Sequence, residues 1–419
     1  MVITDVDLIQ VFPKNQERNR GNFAFYGELS LISIYRVTTD TGLVGYGETR
    51  GRLPPRSQVE GVIGRDPFEY VGSNLNLGLV MALYDVMGKY LELPVYRLMG
   101  QKCRDAVSLA AWTRPCSPAE LADEVRHAAA AGYTILKMHS SPLWDVLEHA
   151  RRAAAAAPPG FRLHFDFNGG ALNSRRPRTV ATVLPLLREL ERLEAVGFIE
   201  DVVSRHDVHG WRNLRERTHI PLILGHDGTL GTALDATLGM ADIYMLSGNG
   251  VGRTLARGSA LGLLNTQVMF QLVGNGLTTA FTMHMAAVLP TATGHCVTQM
   301  DQYEEDVVIT PIAVQEGFAR LPNEPGLGLE IDDGALSRLA TNPDPYESIP
   351  RGIGILRFPN GHTLYAISKP DVVRATGTEE GAIRGIDFEL WQDDGSERFR
   401  DLWRRLEVEG SIFAEEPNG

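Results

Sequence analysis

The chain is poor in cysteine: its 419 residues include three, namely Cys103, Cys116 and Cys296. Three scattered cysteines argue against a disulfide framework or a zinc knuckle, and they are typical of a reducing compartment. The chain also lacks a run of about 20 apolar residues, the length that a membrane-spanning helix requires. Its first residues, MVITDVD, are acidic and strand-like, unlike a signal peptide. We therefore expect a cytoplasmic protein that makes no membrane contact.

Positive charge is in deficit, with 40 lysines and arginines against 52 aspartates and glutamates and a net charge of −12. A chain this acidic has no overall attraction for nucleic acids or anionic lipids. Apolar residues, in contrast, are plentiful. They make up 43% of the chain, which suffices for a large core in about two to three domains. The composition thus argues against a nucleic-acid-binding protein and favours a large globular one.

Residues 1–104 have the pattern of a small α+β domain. Helical spacing of Leu79, Leu83 and Val86 predicts a helix over residues 76–91. It follows three segments that alternate apolar and polar residues like antiparallel strands, at residues 2–12, 29–38 and 43–48.

Residues 105–340 alternate between strand-like and helix-like segments. Eight strands are predicted to begin near Val107, Tyr133, Phe161, Gly197, Ile220, Asp242, Thr266 and Thr293. Helical runs such as 118–131, 146–157, 178–195 and 251–264 separate them. Eight such units over about 200 residues favour a (β/α)₈ barrel, although a doubly wound sheet also fits the pattern.

Residues 341–419 form a C-terminal extension with a different pattern. Residues 353–358 and 362–367 predict a β-hairpin with Asn360-Gly361 at its turn. A charged, tryptophan-containing segment follows at residues 388–409.

Four of the predicted barrel strands end in residues that can bind a metal ion. These endings are Lys137-Met138-His139, Asp166-Phe167-Asn168, Glu200-Asp201 and His226-Asp227. In a (β/α)₈ barrel the active site lies where the strands end, so the four endings should converge. They therefore predict a divalent-cation site and a metal-assisted enzyme.

Several segments also resemble the enolase superfamily, in the group around mandelate racemase and muconate-lactonizing enzyme. The segments that carry the resemblance are 81–89, 93–95, 98–100, 132–137, 166–169, 199–201, 220–225, 284–287 and 317–328. The resemblance implies a (β/α)₈ barrel capped by the N-terminal α+β domain, a homo-oligomer and a small-molecule carboxylate substrate. It also implies a shared step, in which Mg²⁺ binds that carboxylate, a base removes the α-proton and the metal stabilises the enediolate.

The resemblance places Asp166 and Glu200 on the family's first two metal positions. At the third position, where a carboxylate is usual, this chain has His226 with Asp227 beside it. Three interpretations remain open: His226 binds the metal, Asp227 replaces the missing carboxylate, or the metal is lost. An imidazole ligand suits Mn²⁺ or another transition metal better than Mg²⁺.

The resemblance also identifies a candidate base. The family's second strand usually ends Lys-x-Lys, the first lysine near the substrate carboxylate and the second a base, whereas here it ends Lys137-Met138-His139. Strand alternation places Lys137 and His139 on the same inward face. Histidine is a competent base near neutral pH, so His139 is the candidate base with Lys137 assisting it. The alternative is a structural histidine.

Further polar residues are candidates for substrate binding. Asn168, Asp227 and Gln271 lie at predicted strand ends, and Arg20 and Tyr26 lie on loops that close over the substrate in the family. The ends of strands six and seven offer no second base. That counts against a racemase, which needs an acid–base group on each face of the α-carbon.

Three functional hypotheses follow. The first is a lyase that dehydrates an acid sugar or another hydroxy acid, because a single base suffices for a syn-elimination. The second is a racemase, epimerase or cycloisomerase of the same group. The third is a non-catalytic enolase-like protein that binds a ligand or serves in an assembly.

Overall fold

The structure is a computed structural model, and it describes residues 1–19, 31–168, 178–225, 234–247, 250–272, 274–344 and 350–415. Within these ranges, no helix is both long and apolar enough to cross a membrane.

The N-terminal part is a three-stranded antiparallel sheet covered by a helix. Strands β1 (Ile3–Val11), β2 (Ile32–Thr39) and β3 (Val44–Arg50) pair in the order β1-β2-β3, which confirms the three predicted strands. Helix α1 (Leu77–Tyr90) begins at Asn76, whose side chain accepts a hydrogen bond from the Gly78 amide at 2.9 Å. The helix lies directly on β3, since a Cβ at Gly45 would lie 2.1 Å from the Ala82 carbonyl oxygen. The short helix α2 (Tyr96–Met99) follows.

The middle of the chain is a closed barrel of eight parallel strands. These are β4 (Ala106–Thr113), β5 (Ile135–His139), β6 (Arg162–Asp166), β7 (Val196–Glu200), β8 (Leu222–Leu224), β9 (Ile243–Leu246), β10 (Gln267–Gln271) and β11 (Cys296–Val297). The last strand pairs with the first, Cys296 opposite Leu109 and Val297 opposite Ala110. This closure confirms the (β/α)₈ barrel and excludes the doubly wound sheet.

Helices connect the strands and cover the barrel. They are α3 (Pro118–Ala130), α4 (Val146–Ala156), α5 (Val180–Leu190), α6 (Val208–Arg215), α7 (Leu234–Thr237), α8 (Val251–Leu263) and α9 (Gly276–Val288). Helices α3, α4 and α8 match three of the four predicted helices closely. The fourth, α5, is shorter than the predicted 178–195, because residues 191–195 turn into β7 and Arg178 precedes the helix.

The segment after the barrel returns to the N-terminal sheet. Strand β12 (Phe318–Arg320) adds antiparallel to β4, and helix α10 (Asp333–Thr341) packs against β1. A second connection is Glu48 of β3, which accepts hydrogen bonds from the Asn275 and Thr278 amides at 2.6 and 2.8 Å. The N-terminal sheet is therefore fixed to the barrel near the ends of its strands.

The C-terminal extension folds into a four-stranded sheet with two helices, which we call the C-terminal module (residues 350–415). Strands β13 (Gly352–Arg357) and β14 (His362–Ala366) form the predicted hairpin. Strands β15 (Asp387–Gln392) and β16 (Ser411–Glu415) flank them, in the order β15-β13-β14-β16. Helices α11 (Lys369–Thr376) and α12 (Glu397–Glu409) complete the module.

Candidate active site

Lys137 lies at the bottom of the site inside the barrel. Its ammonium group is 2.6 Å from Glu200 Oε2 and 3.2 Å from Asp166 Oδ2, and it also donates a hydrogen bond to the Gln271 side chain. The side chains of all three charged residues are nearly or completely buried. Burial alone would lower the pKa of Lys137, but the Glu200 and Asp166 carboxylates outweigh it and raise that pKa. Lys137 is therefore a permanent cation that neutralises a buried acidic site.

His139 lies at the open edge of the same site. It stands opposite Asp166 in the register of β5 and β6, and its Nδ1 is 3.4 Å from Asp166 Oδ2. Its side chain is 24% exposed, whereas that of Lys137 is fully buried. Lys137 and His139 thus share the inward face, as strand alternation predicts, but they occupy different depths.

Asn168 orients the His139 ring. The Asn168 side-chain oxygen, an acceptor only, is 3.0 Å from His139 Nδ1, so Nδ1 carries the proton and Nε2 is left as a base. The backbone N–H of Asn168 donates a hydrogen bond to Asp166 Oδ1 at 2.8 Å and so holds Asn168 in place. The backbone φ of Asn168 is 53°. Burial lowers the pKa of His139 to about 4, although the Asp166 carboxylate opposes that shift. The imidazole is therefore neutral near pH 7.

Two carboxylates stand at the end of β7. Glu200 is fully buried, and its Oε1 has no hydrogen-bond partner among the described residues. Burial raises the pKa of Glu200 well above its usual value, and the Asp166 charge adds to the effect. Asp201 has a φ of 52°, which ends the strand alternation and brings its carboxylate toward the same side as that of Glu200. Arg205 pairs with Asp201, and the Gly225 amide donates to it at 3.0 Å.

Asp166, Glu200 and Asp201 together fit a divalent cation. One carboxylate oxygen from each lies within 4.8 Å of the others, and hard cations such as Mg²⁺ prefer oxygen ligands. The partnerless Glu200 Oε1 supports this fit, since a buried carboxylate oxygen without a donor is costly. Gly225 keeps space beside it, because a Cβ there would lie 2.5 Å from that oxygen. The residues present therefore suit a small cation.

Below this site lies a histidine pair that the sequence reasoning missed. His164 Nδ1 is 2.9 Å from His295 Nε2, and His164 Nε2 is 3.0 Å from Glu200 Oε2. Burial lowers the pKa of both histidines, that of His295 to about 3. Both histidines are therefore neutral, and His164 lies against Glu200. The signal was present, because His164 precedes Asp166 by two residues and so shares its inward face.

The remaining predicted site residues have different outcomes. Gln271 is at the site, where it accepts a hydrogen bond from Lys137. His226, Asp227, Arg20 and Tyr26 lie outside the described residues, so their predicted roles stay predictions. Asp201, which the sequence reasoning left out of the ligand set, takes a place in the described carboxylate cluster.

A model of enolase C-terminal domain-like proteins matches residues 120–335, which is about half of the chain and most of the barrel. The chain belongs to this enolase-like family. The match ends before the C-terminal module begins.

Solved structures similar to this enolase-like chain include two isomerases. One is a dipeptide epimerase from Cytophaga hutchinsonii, complexed with Mg and D-Ala-L-Val, with a TM-score of 0.65 and 21% identity; the match covers 81% of this chain and 98% of that chain. The other is an N-succinyl Arg/Lys racemase from Bacillus cereus, with a TM-score of 0.63 and 20% identity, and 82% and 99% coverage. At these identities the likeness shows the fold.

Curated relatives include two D-galactonate dehydratases. That of Verminephrobacter eiseniae is 28% identical over 217 residues, and that of Cronobacter sakazakii is 26% identical over 219 residues. Each alignment covers 45% of this enolase-like chain and 56% of the relative. The chain therefore spans a little over half the length of the curated relatives that it matches.

Proposed function

We propose that this protein removes the proton α to the carboxylate of a small polyhydroxy acid and thereby dehydrates it. The observation that carries the proposal is the position of His139, a neutral imidazole at the open edge of a site whose floor is a buried pair of carboxylates. The resemblance to D-galactonate dehydratases supports acid sugars as the substrate class.

Each residue of the site has a distinct part in this reaction. His139 Nε2 accepts the α-proton, and Asn168 keeps Nδ1 protonated and the ring oriented. The electron pair left on the α-carbon then expels the hydroxyl group from the neighbouring carbon, and His139 returns its proton to that group, so that water leaves. The resulting enol becomes a 2-keto acid. Because one group takes and returns the proton, no second base is required.

Asp166, Glu200 and Asp201 would hold a divalent cation. The ion expected from the family is Mg²⁺, and Mn²⁺ is the alternative. When bound, such a cation supplies positive charge that stabilises the negative charge developing on the substrate carboxylate. Lys137 contacts both the Asp166 and the Glu200 carboxylates, and its charge opposes the rise in the pKa of Glu200.

The experiment is α-hydrogen exchange in D₂O, followed by proton NMR on a panel of aldonic and aldaric acids that begins with D-galactonate. We expect the wild-type protein with Mg²⁺ to exchange or eliminate at least one acid. His139→Ala should lower the rate by about a hundredfold or more, the usual contribution of a general base. His209→Ala, which alters an exposed histidine on α6, is the matched control and should leave the rate unchanged. Equal rates in wild type and His139→Ala would refute the proposal.

A further inference from the structure

The C-terminal module lies against the catalytic end of the barrel. Its residues Leu356, Leu364, Ala366, Val372 and Ile386 share a hydrophobic cluster with Leu143 and Trp144. Those two residues belong to the loop that follows β5, a few positions after His139. The Trp144 and Phe388 rings meet edge to face, with their centroids 5.3 Å apart. The module therefore packs on the loop that continues from the candidate base.

Backbone contacts make this packing close. The Val146 amide donates to the Gly381 carbonyl at 2.9 Å. Gly381 has a φ of 75°, and a Cβ there would lie 2.3 Å from the Trp144 carbonyl oxygen, so the two chain segments touch without an intervening side chain.

Arg178 ties the module to the strand ends that carry the acidic residues. It donates to the Phe167 carbonyl at 2.6 Å and to the Asp201 carbonyl at 3.0 Å, and it pairs with Glu380 of the module at 3.1 Å. Phe167 and Asp201 directly follow Asp166 and Glu200. The Glu379 amide also donates to the Glu380 carboxylate at 3.1 Å, which fixes the neighbouring Glu379.

Two charged groups of the module, Lys369 and Glu379, interact electrostatically with Asp166. Burial lowers the pKa of Lys369, while the Glu379 and Asp166 carboxylates oppose that shift. The Lys369 charge in turn helps to lower the pKa of His139. Glu379 is 8% exposed, and its Oε2 is buried without a hydrogen-bond partner in the part of the chain that the structure describes. A buried acceptor without a donor beside a cation forms a polar site that a ligand can complete.

We infer that the C-terminal module forms a wall of the active site, where Lys369 and Glu379 bind hydroxyl groups at the end of the substrate remote from its reacting carboxylate. The inference rests on the proposed function, which supplies a polyhydroxy acid. An ammonium donor beside a carboxylate acceptor matches a hydroxyl, which both accepts and donates. A second carboxylate would instead offer the unpartnered Glu379 oxygen no hydrogen-bond donor and would be repelled by it. The wall thus favours aldonic over aldaric acids.

The first test needs no substrate and measures Mn²⁺ affinity by electron paramagnetic resonance. Lys369→Met removes a cation that interacts electrostatically with Asp166, so we expect Mn²⁺ to bind roughly threefold to tenfold more tightly. Lys369→Arg keeps the charge and should bind like wild type. Lys102→Met changes an exposed lysine paired with Asp105 and serves as the remote control. Unchanged affinity in Lys369→Met, with a wild-type thermal transition, would overturn the inference.

The second test compares a long acid with a short one. In the His139→Ala background with Mg²⁺, calorimetry measures binding of the aldonic acid that exchanges with the wild-type protein, and of D-glycerate, which lacks the remote hydroxyls. Lys369→Met should weaken the long acid by roughly tenfold to a hundredfold, the range of a hydrogen bond to a charged group, and D-glycerate by less than about twofold. Equal loss for both acids, or no loss for either, would overturn the inference. If no acid sugar exchanges or binds with the wild-type protein, the proposed function itself fails and the inference with it.

Discussion

Lys137→Met removes the cation beneath the acidic site while keeping a side chain of similar length. The exposed fractions of the side chains are 0% for Lys137, 0% for Glu200 and 2% for Asp166, so water cannot replace the lost ammonium group. Breaking a buried ion pair by removing one partner costs about 3–5 kcal/mol. For a barrel of this size that corresponds to a fall in melting temperature of roughly 6–20 °C.

The assay is thermal unfolding of chelator-treated protein at matched scan rates. The loss of stability in Lys137→Met should depend on pH. Burial and the Asp166 charge raise the pKa of Glu200 in the folded state above its usual 4.5. A carboxyl group with a raised pKa stabilises the fold below its unfolded pKa, and that contribution is lost as the pH rises through the folded value. The penalty of Lys137→Met should therefore be small at pH 5 and increase toward neutral pH.

Added Mg²⁺ should restore much of the lost stability, since a cation that binds only the folded state stabilises it and replaces the missing charge. Lys102→Met, at an exposed surface pair, should change the melting temperature by no more than about 1–2 °C. A Lys137→Met protein as stable as wild type at neutral pH without metal would refute the role of Lys137 as the essential counter-ion.

Two other predictions concern Asn168 and Glu48. Asn168→Ala removes the hydrogen-bond acceptor that orients the His139 ring, so kcat should fall about tenfold with little change in KM. Steady-state kinetics measure both constants, and a kcat equal to that of wild type would contradict the orienting role of Asn168. Burial raises the pKa of Glu48 to about 8, and the Asp306 charge adds to the effect. The protonated Glu48 side chain therefore stabilises the folded state, and this stabilisation is lost as the pH rises through that value. Glu48→Gln should remove this loss, and the melting temperatures of variant and wild type should diverge between pH 6 and pH 9; parallel curves would contradict the assignment.

Local sequence patterns predicted the elements that depend on local physics. Alternation and helical spacing identified the strands of the cap and the barrel, and strand alternation placed Lys137 and His139 on one face. The same rule failed to include Asp201, because a positive φ at that residue ends the alternation. The different depths of Lys137 and His139 also follow from their order, because Lys137 precedes His139 by two residues along β5 and so lies deeper in the barrel.

The position of the C-terminal module could not be predicted from local sequence patterns. Its hairpin was predicted from the Asn360-Gly361 turn, but its docking depends on contacts between residues more than 200 positions apart, such as Arg178 with Glu380 and Asp145 with Arg384. Sequence periodicity carries no information about such pairings. The sequence therefore did not point to Lys369 or Glu379, which belong to the module that packs on the loop after β5.

We expect that His139 removes an α-proton only when the carboxylate site holds a divalent cation. The most direct measurement is α-deuterium incorporation into an acid sugar by chelator-treated protein, before and after addition of Mg²⁺. We expect no exchange without the ion and full exchange after its addition, in wild type but not in His139→Ala. Exchange at the same rate with and without a divalent ion would contradict it.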